Sequence, residues 1–252
     1  MLDAIPLTNI LFLDIETVSA LPEFEQLQED FKPLWLQKAR VVSRSFTEEM
    51  DEETGAQVYK DKAAIYAEFG KIVCISVGLI TKDKDGERLQ ARFKSFALDD
   101  EKALLKDFAE LLQKHYPNTN THYLCGHNIR EFDIPYICRR MVVNGIKLPN
   151  ALDIAGKKPW ECRHLIDTME LWKFGDFKSY VSLKLLAALL GFPSPKDDID
   201  GSEVSRVYWE EKNLPRIAKY CEKDVAATIQ LFMRYRNQDL LEEEQLIFTS
   251  AD

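Results

Sequence analysis

Ile10-Leu11-Phe12-Leu13-Asp14-Ile15-Glu16-Thr17 decides how the rest of the chain reads. Four apolar residues in a row predict a strand buried on both faces, the pattern of a central strand in a parallel or mixed sheet. Two carboxylates follow at positions i and i+2. Side chains alternate across a strand, so Asp14 and Glu16 project from the same face, about 7 Å apart. Acids so placed repel each other, and burying an unpaired carboxylate is costly. A divalent cation resolves that conflict. Taken alone, an Asp-x-Glu pair more often marks a strand that reaches the surface with both acids solvated. The rest of the chain has to decide between the two.

The 252 residues, 46% of them hydrophobic and 11% aromatic, suffice for one large α/β domain with a substantial core. We read residues 1–252 as that domain, with 18–70 as an insertion after the first strand and 239–252 as an acidic, frayed tail. The longest apolar runs, such as 72–80, are strand-sized and too short to span a bilayer. The N-terminus lacks the basic and long apolar regions of a secretory leader. Five cysteines, an odd number with no Cys-x-x-Cys pair, read as reduced thiols of a cytoplasmic protein. A net charge of −9 argues against broad electrostatic attraction to a nucleic-acid backbone. It leaves room for an enzyme that grips only a chain end through bound metal.

Beyond the first strand, Pro22 and Pro33 punctuate a stretch of short helices and loop in which Trp35 and Leu36 are the buried anchor. Residues 71–80 and 92–97 form two strands of a hairpin across the turn residues Lys82-Asp83-Lys84-Asp85-Gly86. Asp99 or Asp100 caps a helix with Leu104, Leu105, Phe108, Leu111 and Leu112 on one face. A short fourth strand, 123–126, leads to a helix carrying Ile134, Ile137, Cys138 and Met141. Residues 164–167 are a weak fifth strand. Helices follow at 182–190, ending at Gly191, at about 203–212, and from Pro215 onward. The last has a core face of Ile217, Cys221, Val225, Ile229 and Phe232 at three- and four-residue spacing. This order predicts an α/β fold, a five-stranded mixed sheet flanked by helices.

The last helix also carries Tyr220 and Asp224 one turn apart, on a face beside the apolar stripe. Alone they read as a partly buried Tyr and a solvated Asp. Asp133 directly follows the fourth strand, where the free N–H groups of a helix start favour a carboxylate. A simple helix cap explains it too, and Asn128 and Phe132 beside it fit a turn residue and a core residue.

Taken in order, Asp14-x-Glu16, Asn128-x-x-x-Phe132-Asp133 and Tyr220-x-x-x-Asp224 resemble the DEDD superfamily of 3′–5′ exonucleases. The wording Asp-Ile-Glu-Thr and Gly126-His127-Asn128…Phe132-Asp133 looks most like the proofreading exonuclease domain of family-B DNA polymerases, over about residues 10–235. In the histidine subtype of the superfamily a His stands five residues before the final Asp. Here that position is Lys219 and Tyr220 stands four before it, so the resemblance is to the tyrosine subtype.

The resemblance implies a ribonuclease H-like fold and a metal-dependent hydrolase of phosphodiester bonds. It makes Asp14, Glu16, Asp133 and Asp224 ligands of two divalent cations, Mg²⁺ or Mn²⁺, and adds Tyr220 as the residue that orients the attacking water. Oxygen-only donors suit those ions. Thr17, Asn128 and Phe132 are the implied substrate contacts. The implied substrate is the 3′ end of single-stranded DNA, with RNA as the alternative. An inactive nucleic-acid-binding or scaffold module is the reading from a different class, and the five intact catalytic positions count against it. His127 reads as a loop residue rather than a metal ligand. Residues 157–180 mix lysines and Arg163 with Trp160, Trp172, Phe174 and Phe177, a composition that suits base stacking, although core packing accounts for most such rings. Asp167 and Asp200 are further acids with no assigned place.

Overall fold

The computed structural model describes residues 2–44, 50–86, 88–176, 180–193 and 198–249. Strand β1 (Ile10–Ser19) is central. It pairs antiparallel with β2 (Gly70–Lys82) on one side and parallel with β4 (Tyr123–Gly126) on the other. β2 continues the hairpin to β3 (Leu89–Ala97), and β4 pairs parallel with β5 (Leu165–Asp167). A sixth strand, β6 (Leu246–Phe248), lies parallel to β3 and gives the order β5-β4-β1-β2-β3-β6. The architecture is the expected ribonuclease H-like one, a mixed α/β sheet flanked by helices.

The sixth strand corrects two expectations, five strands and a frayed 239–252 tail. Three apolar residues behind an acidic run are too short to announce a strand. They gain order by pairing with the open edge of β3, where Phe248 stacks on Phe93 with ring centroids 4.6 Å apart. Residues 250–252 lie outside the described residues.

Alternation along β1 sorts the core into two layers. Leu11, Leu13 and Ile15 pack on one face with α3 (Glu101–His115) and α4 (Asp133–Val143). Ile10 and Phe12 face the other way, against Val225, Ile229 and Phe232 of α8 (Leu214–Tyr235). All five residues of the expected α8 core face are fully buried. Residues 18–70 contribute α1 (Phe31–Val42) and α2 (Glu52–Lys62). These close a small apolar cluster around Trp35, Tyr59 and Phe69, and the Trp35 indole donates to the Gly55 carbonyl at 2.8 Å. The remaining helices are α5 (Thr168–Lys173), α6 (Leu183–Leu190) and α7 (Val204–Trp209). Helix α7 is shorter than the sequence suggested.

One buried ion pair ties α3, α4 and β2 together. Arg140 grips Glu101 with two N–H groups at 2.8 and 2.6 Å, and Glu101 also accepts from the Ile72 amide at 2.8 Å. Removing one partner strands the other charge out of water. Glu101→Ala is therefore expected to lower unfolding free energy by about 3–5 kcal/mol. Urea unfolding checks this, and adding Arg140→Ala should cost much less than it does alone. A loss of under about 1 kcal/mol for Glu101→Ala would place this pair among weakly coupled surface pairs.

Candidate active site

The site forms where β1 runs past the end of β4. The β1–β4 ladder covers Ile10, Leu11 and Phe12, so the next stretch of β1 loses that neighbour. Asp133, the first residue of α4, fills the gap, and its Oδ1 accepts the Ile15 amide at 3.2 Å. Asp14 and Glu16 face the α8 side, paired in register with Ser76 and Cys74 of β2. A register shift between Glu16 and Thr17, opposite Val73, breaks this pairing before it resumes at Thr17 and Ile72. Tyr220 and Asp224 reach the same place from α8, and the Tyr220 hydroxyl donates a hydrogen bond to the Asp224 carboxylate.

The four acids feel one another. Burial raises the pKa of Asp14 well above the usual carboxylate value, and the charges of Asp224, Asp133 and Glu16 raise it further. Burial pushes Asp133 up to about 7, with Asp167 and Asp224 adding to the shift. Tyr220 is also raised, first by burial and then by Asp224, Glu16 and Asp14. A pocket that holds this much negative charge against desolvation suits a divalent cation, and its donors are oxygens, as Mg²⁺ or Mn²⁺ require. Asp14 and Glu16 offer ligand oxygens within 4.8 Å of each other, and Asp133 and Asp224 stand close enough to act on Asp14 electrostatically.

Cys221 belongs to this cluster and the sequence hid it among core residues. Its Sγ lies within 4.8 Å of the Asp14 and Glu16 oxygens, and it donates to the Asp14 carboxylate at 3.4 Å. Burial raises its pKa, so it stands as a thiol that orients Asp14, and a soft sulfur is a poor partner for a hard cation. Beneath it runs a buried polar chain. Ser76 and Ser95 hydroxyls meet at 2.7 Å, and Ser95 donates to Glu222 at 2.7 Å.

Asp167 is the second residue that sequence alone left unplaced. It is buried and collects four backbone amides, those of Asn128, Arg130, Met169 and Glu170, at 2.9–3.3 Å. Through the first two it pins the loop that delivers Asp133. The loop starts at Gly126, where a Cβ would meet the Leu13 carbonyl at 2.9 Å and Ile129 Cβ at 2.9 Å, so β4 can pass β1 this closely only with glycine. Asn128 takes a positive φ of 66°, a conformation Asn tolerates. Its side-chain Oδ1 is buried without a hydrogen-bond partner among the described residues. His127 is held through both ring nitrogens, by Thr168 at 3.0 Å and the Val181 carbonyl at 2.9 Å, which leaves it no position for a metal.

The other named residues divide. Phe132 packs against Tyr136 with centroids 5.5 Å apart. The Thr17 hydroxyl donates to the Ala64 carbonyl at 2.9 Å, a structural bond that ties the 18–70 segment to β1. Of the aromatic segment, Trp172 packs against the cluster of α6 and α8, whereas Trp160 and Phe174 are exposed. Phe177 and Lys178 lie outside the described residues. Asp200 caps a local turn through Ser202.

Among the described residues no helix is long and apolar enough to cross a membrane. A DNA polymerase from Pyrococcus glycovorans is 26% identical over 148 residues, a match covering 52% of this chain and 18% of that protein. The chain thus spans less than a fifth of that relative. A family model described as a predicted 3′–5′ exonuclease related to the exonuclease domain of PolB matches residues 65–247. That span holds Asn128, Asp133, Tyr220 and Asp224, while Asp14 and Glu16 lie before it. With well over half of its length matched, the chain belongs to this family of predicted PolB-related 3′–5′ exonucleases.

Proposed function

We propose that the chain is a metal-dependent exonuclease that removes nucleotides from the 3′ end of single-stranded DNA. The observation that carries this reading is the convergence of Asp14, Glu16, Asp133 and Asp224, delivered by three separate segments into one partly buried, mutually repelling cluster. Two bound cations would activate a water and neutralise charge on the attacking and leaving oxygens. The chain's own part is to hold the four carboxylates in place and to orient groups around them. Cys221 and the Ile15 amide fix two of the carboxylates. Asn128 keeps a buried acceptor without a partner among the described residues, which a substrate donor would satisfy once it is uncovered. Phe132 is the remaining substrate-side residue, and Thr17 belongs with it only through atoms other than its hydroxyl, which the Ala64 carbonyl holds.

Burial and the charges of Asp224, Glu16 and Asp14 raise the Tyr220 pKa in the metal-free chain, and its hydroxyl donates to Asp224, so its proposed role is to position the attacking water. Tyr220→Phe is expected to slow turnover by about 10²-fold, the low end for groups that handle protons in the transition state. Metal affinity should stay unchanged, and turnover equal to wild type would reduce this residue to packing.

The reading is tested with matched DNA and RNA oligonucleotides as single strands, 3′ overhangs and blunt duplexes. A protein of −9 net charge has no long-range attraction for phosphate, so affinity has to come from the site itself. A grip on the last few nucleotides predicts a shallow dependence of log kcat/KM on log salt, with a slope of about −2 to −3 at fixed free metal. Blunt ends should be poor substrates because the terminal base must first unstack. A slope near about −6, or a preference for blunt duplex, would contradict a short grip. Faster cleavage of RNA would move the substrate to the other polymer and keep the site.

A further inference from the structure

The face of the sheet under α3 is only partly covered. Helix α3 packs its Leu104, Phe108 and Leu112 onto the layer of Leu13, Ile75 and Phe96 and ends at His115. Beyond that end lies a cavity of about 550 Å³, the size of a small-molecule site. Its floor is Leu11, Val77 and Leu79, walled by Leu111. It is separate from the carboxylate cluster in two ways. Leu11 pairs with Leu79, whereas Glu16 pairs with Cys74 farther along the same ladder, and the odd and even residues of β1 face opposite sides.

The polar groups around this floor are one-sided. Arg92, Lys94, His115 and His122 line it, and among the described residues no acidic one does, in a protein with 42 acids and 33 Lys and Arg. Arg92 and Lys94 alternate along β3 opposite Leu79 and Val77, which puts both on the cavity's side of the sheet. Neither forms an ion pair with a carboxylate among the described residues; Lys94 only lies over the Phe96 ring at 4.5 Å. Two more groups are unmatched. Tyr116 is 8% exposed, and its hydroxyl, which makes no hydrogen bond among the described residues, reaches solvent. The His122 ring packs edge-on against it, and its Nδ1 is buried without a partner. Buried polar groups are normally satisfied, so a buried Nδ1 left open beside a cavity points to something that fills it.

We infer that this cavity is a second ligand site for a small organic anion with an apolar body, its head on Arg92 and Lys94 and its polar edge on Tyr116 and His122. The apolar floor takes the body by burial, the Arg92 fork suits a carboxylate or phosphate, and open donors and acceptors fix the orientation. Lys114 and His115 in the last turn of α3 offset the negative end of the helix dipole, which would otherwise repel an anion. The inference does not depend on the nuclease reading.

The test is a fluorescence titration of the whole chain with 8-anilinonaphthalene-1-sulfonate, an apolar-bodied anion, beside its uncharged relative N-phenyl-1-naphthylamine. Saturable binding of one sulfonate per chain is expected. The exposed pair change R92Q with K94Q should weaken it at least tenfold while shifting the neutral probe less than twofold. Leu111→Trp, which fills the cavity, should abolish both. Competing arms separate the sources. Displacement by decanoate marks a lipid-type carboxylate and displacement by adenosine monophosphate marks a nucleotide, whereas inorganic phosphate, lacking a body, should displace nothing. Sulfonate binding unchanged in R92Q/K94Q, retained in Leu111→Trp, displaced by phosphate alone, or displaced by neither organic anion would overturn the assignment.

Discussion

Asp14→Asn and Asp224→Asn should each lower turnover on a single-stranded oligonucleotide by at least about 10³-fold while leaving a folded protein. An asparagine keeps the volume of the carboxylate and one oxygen, so in the first variant the Cys221 thiol retains an acceptor and the backbone of β1 has no reason to move. What disappears is charge. Metal clamps supply several kcal/mol of transition-state stabilisation, and each ~1.4 kcal/mol is a factor of about ten in rate. The substitutions should not destabilise the metal-free chain, because each removes a carboxylate that its buried neighbours repel. Single-turnover rates at saturating Mn²⁺, with circular dichroism as the folding control, measure both halves. Either variant turning over within tenfold of wild type would remove its carboxylate from the chemistry.

The second large effect is on stability, and its sign is unusual for a carboxylate. Asp133 is raised by burial from 3.8 to about 7. The folded state therefore binds its proton more tightly than the unfolded state does. The stabilisation is fully present below the unfolded value and is lost as pH rises through the folded one. Between pH 4 and 7 the metal-free protein should lose stability on the order of 3 kcal/mol from this group alone. Asp133→Asn should remove that slope while keeping an oxygen for the Ile15 amide. A divalent cation should reverse it, since a bound cation requires deprotonated ligands and stabilises only the fold that assembles them. The readout is the difference in Tm between wild type and Asp133→Asn across this range, with chelator and with Mn²⁺. A difference independent of pH in chelator would show that Asp133 stays charged in the fold.

What the sequence disclosed follows from which signals are local. The unbroken apolar run before Asp14 marks a strand with two covered faces, and that strand is central. The α8 stripe from Ile217 to Phe232 has a helical period, and all of it is buried. Tyr220 and Asp224 gain their meaning from the same period, since four residues make one turn. Contacts that bind distant segments left no such trace. Cys221 occupies a position in that stripe and reads as core, yet its sulfur touches Asp14, more than two hundred residues away. Asp167 looks like any helix-capping Asp. Its hold on Asn128 and Arg130 appears only when β5 comes to lie beside β4. Strand β6 needs the open edge of β3 to exist at all. Thr17 shows the converse: a residue inside a recognisable motif whose hydroxyl is engaged by Ala64.

The most direct test of the central claim follows the polarity of cleavage. Identical single-stranded DNA, labelled at either the 5′ or the 3′ end, is incubated with the whole chain in Mg²⁺, in Mn²⁺ and in chelator, beside Asp224→Asn. A metal-dependent 3′–5′ exonuclease shortens the 5′-labelled strand in a ladder of single-nucleotide steps. It releases the 3′ label at once as a mononucleotide, and neither happens in chelator or with the variant. Loss of the 5′ label first, cleavage that persists in chelator, or no cleavage of DNA or RNA under any of these metals would contradict the account.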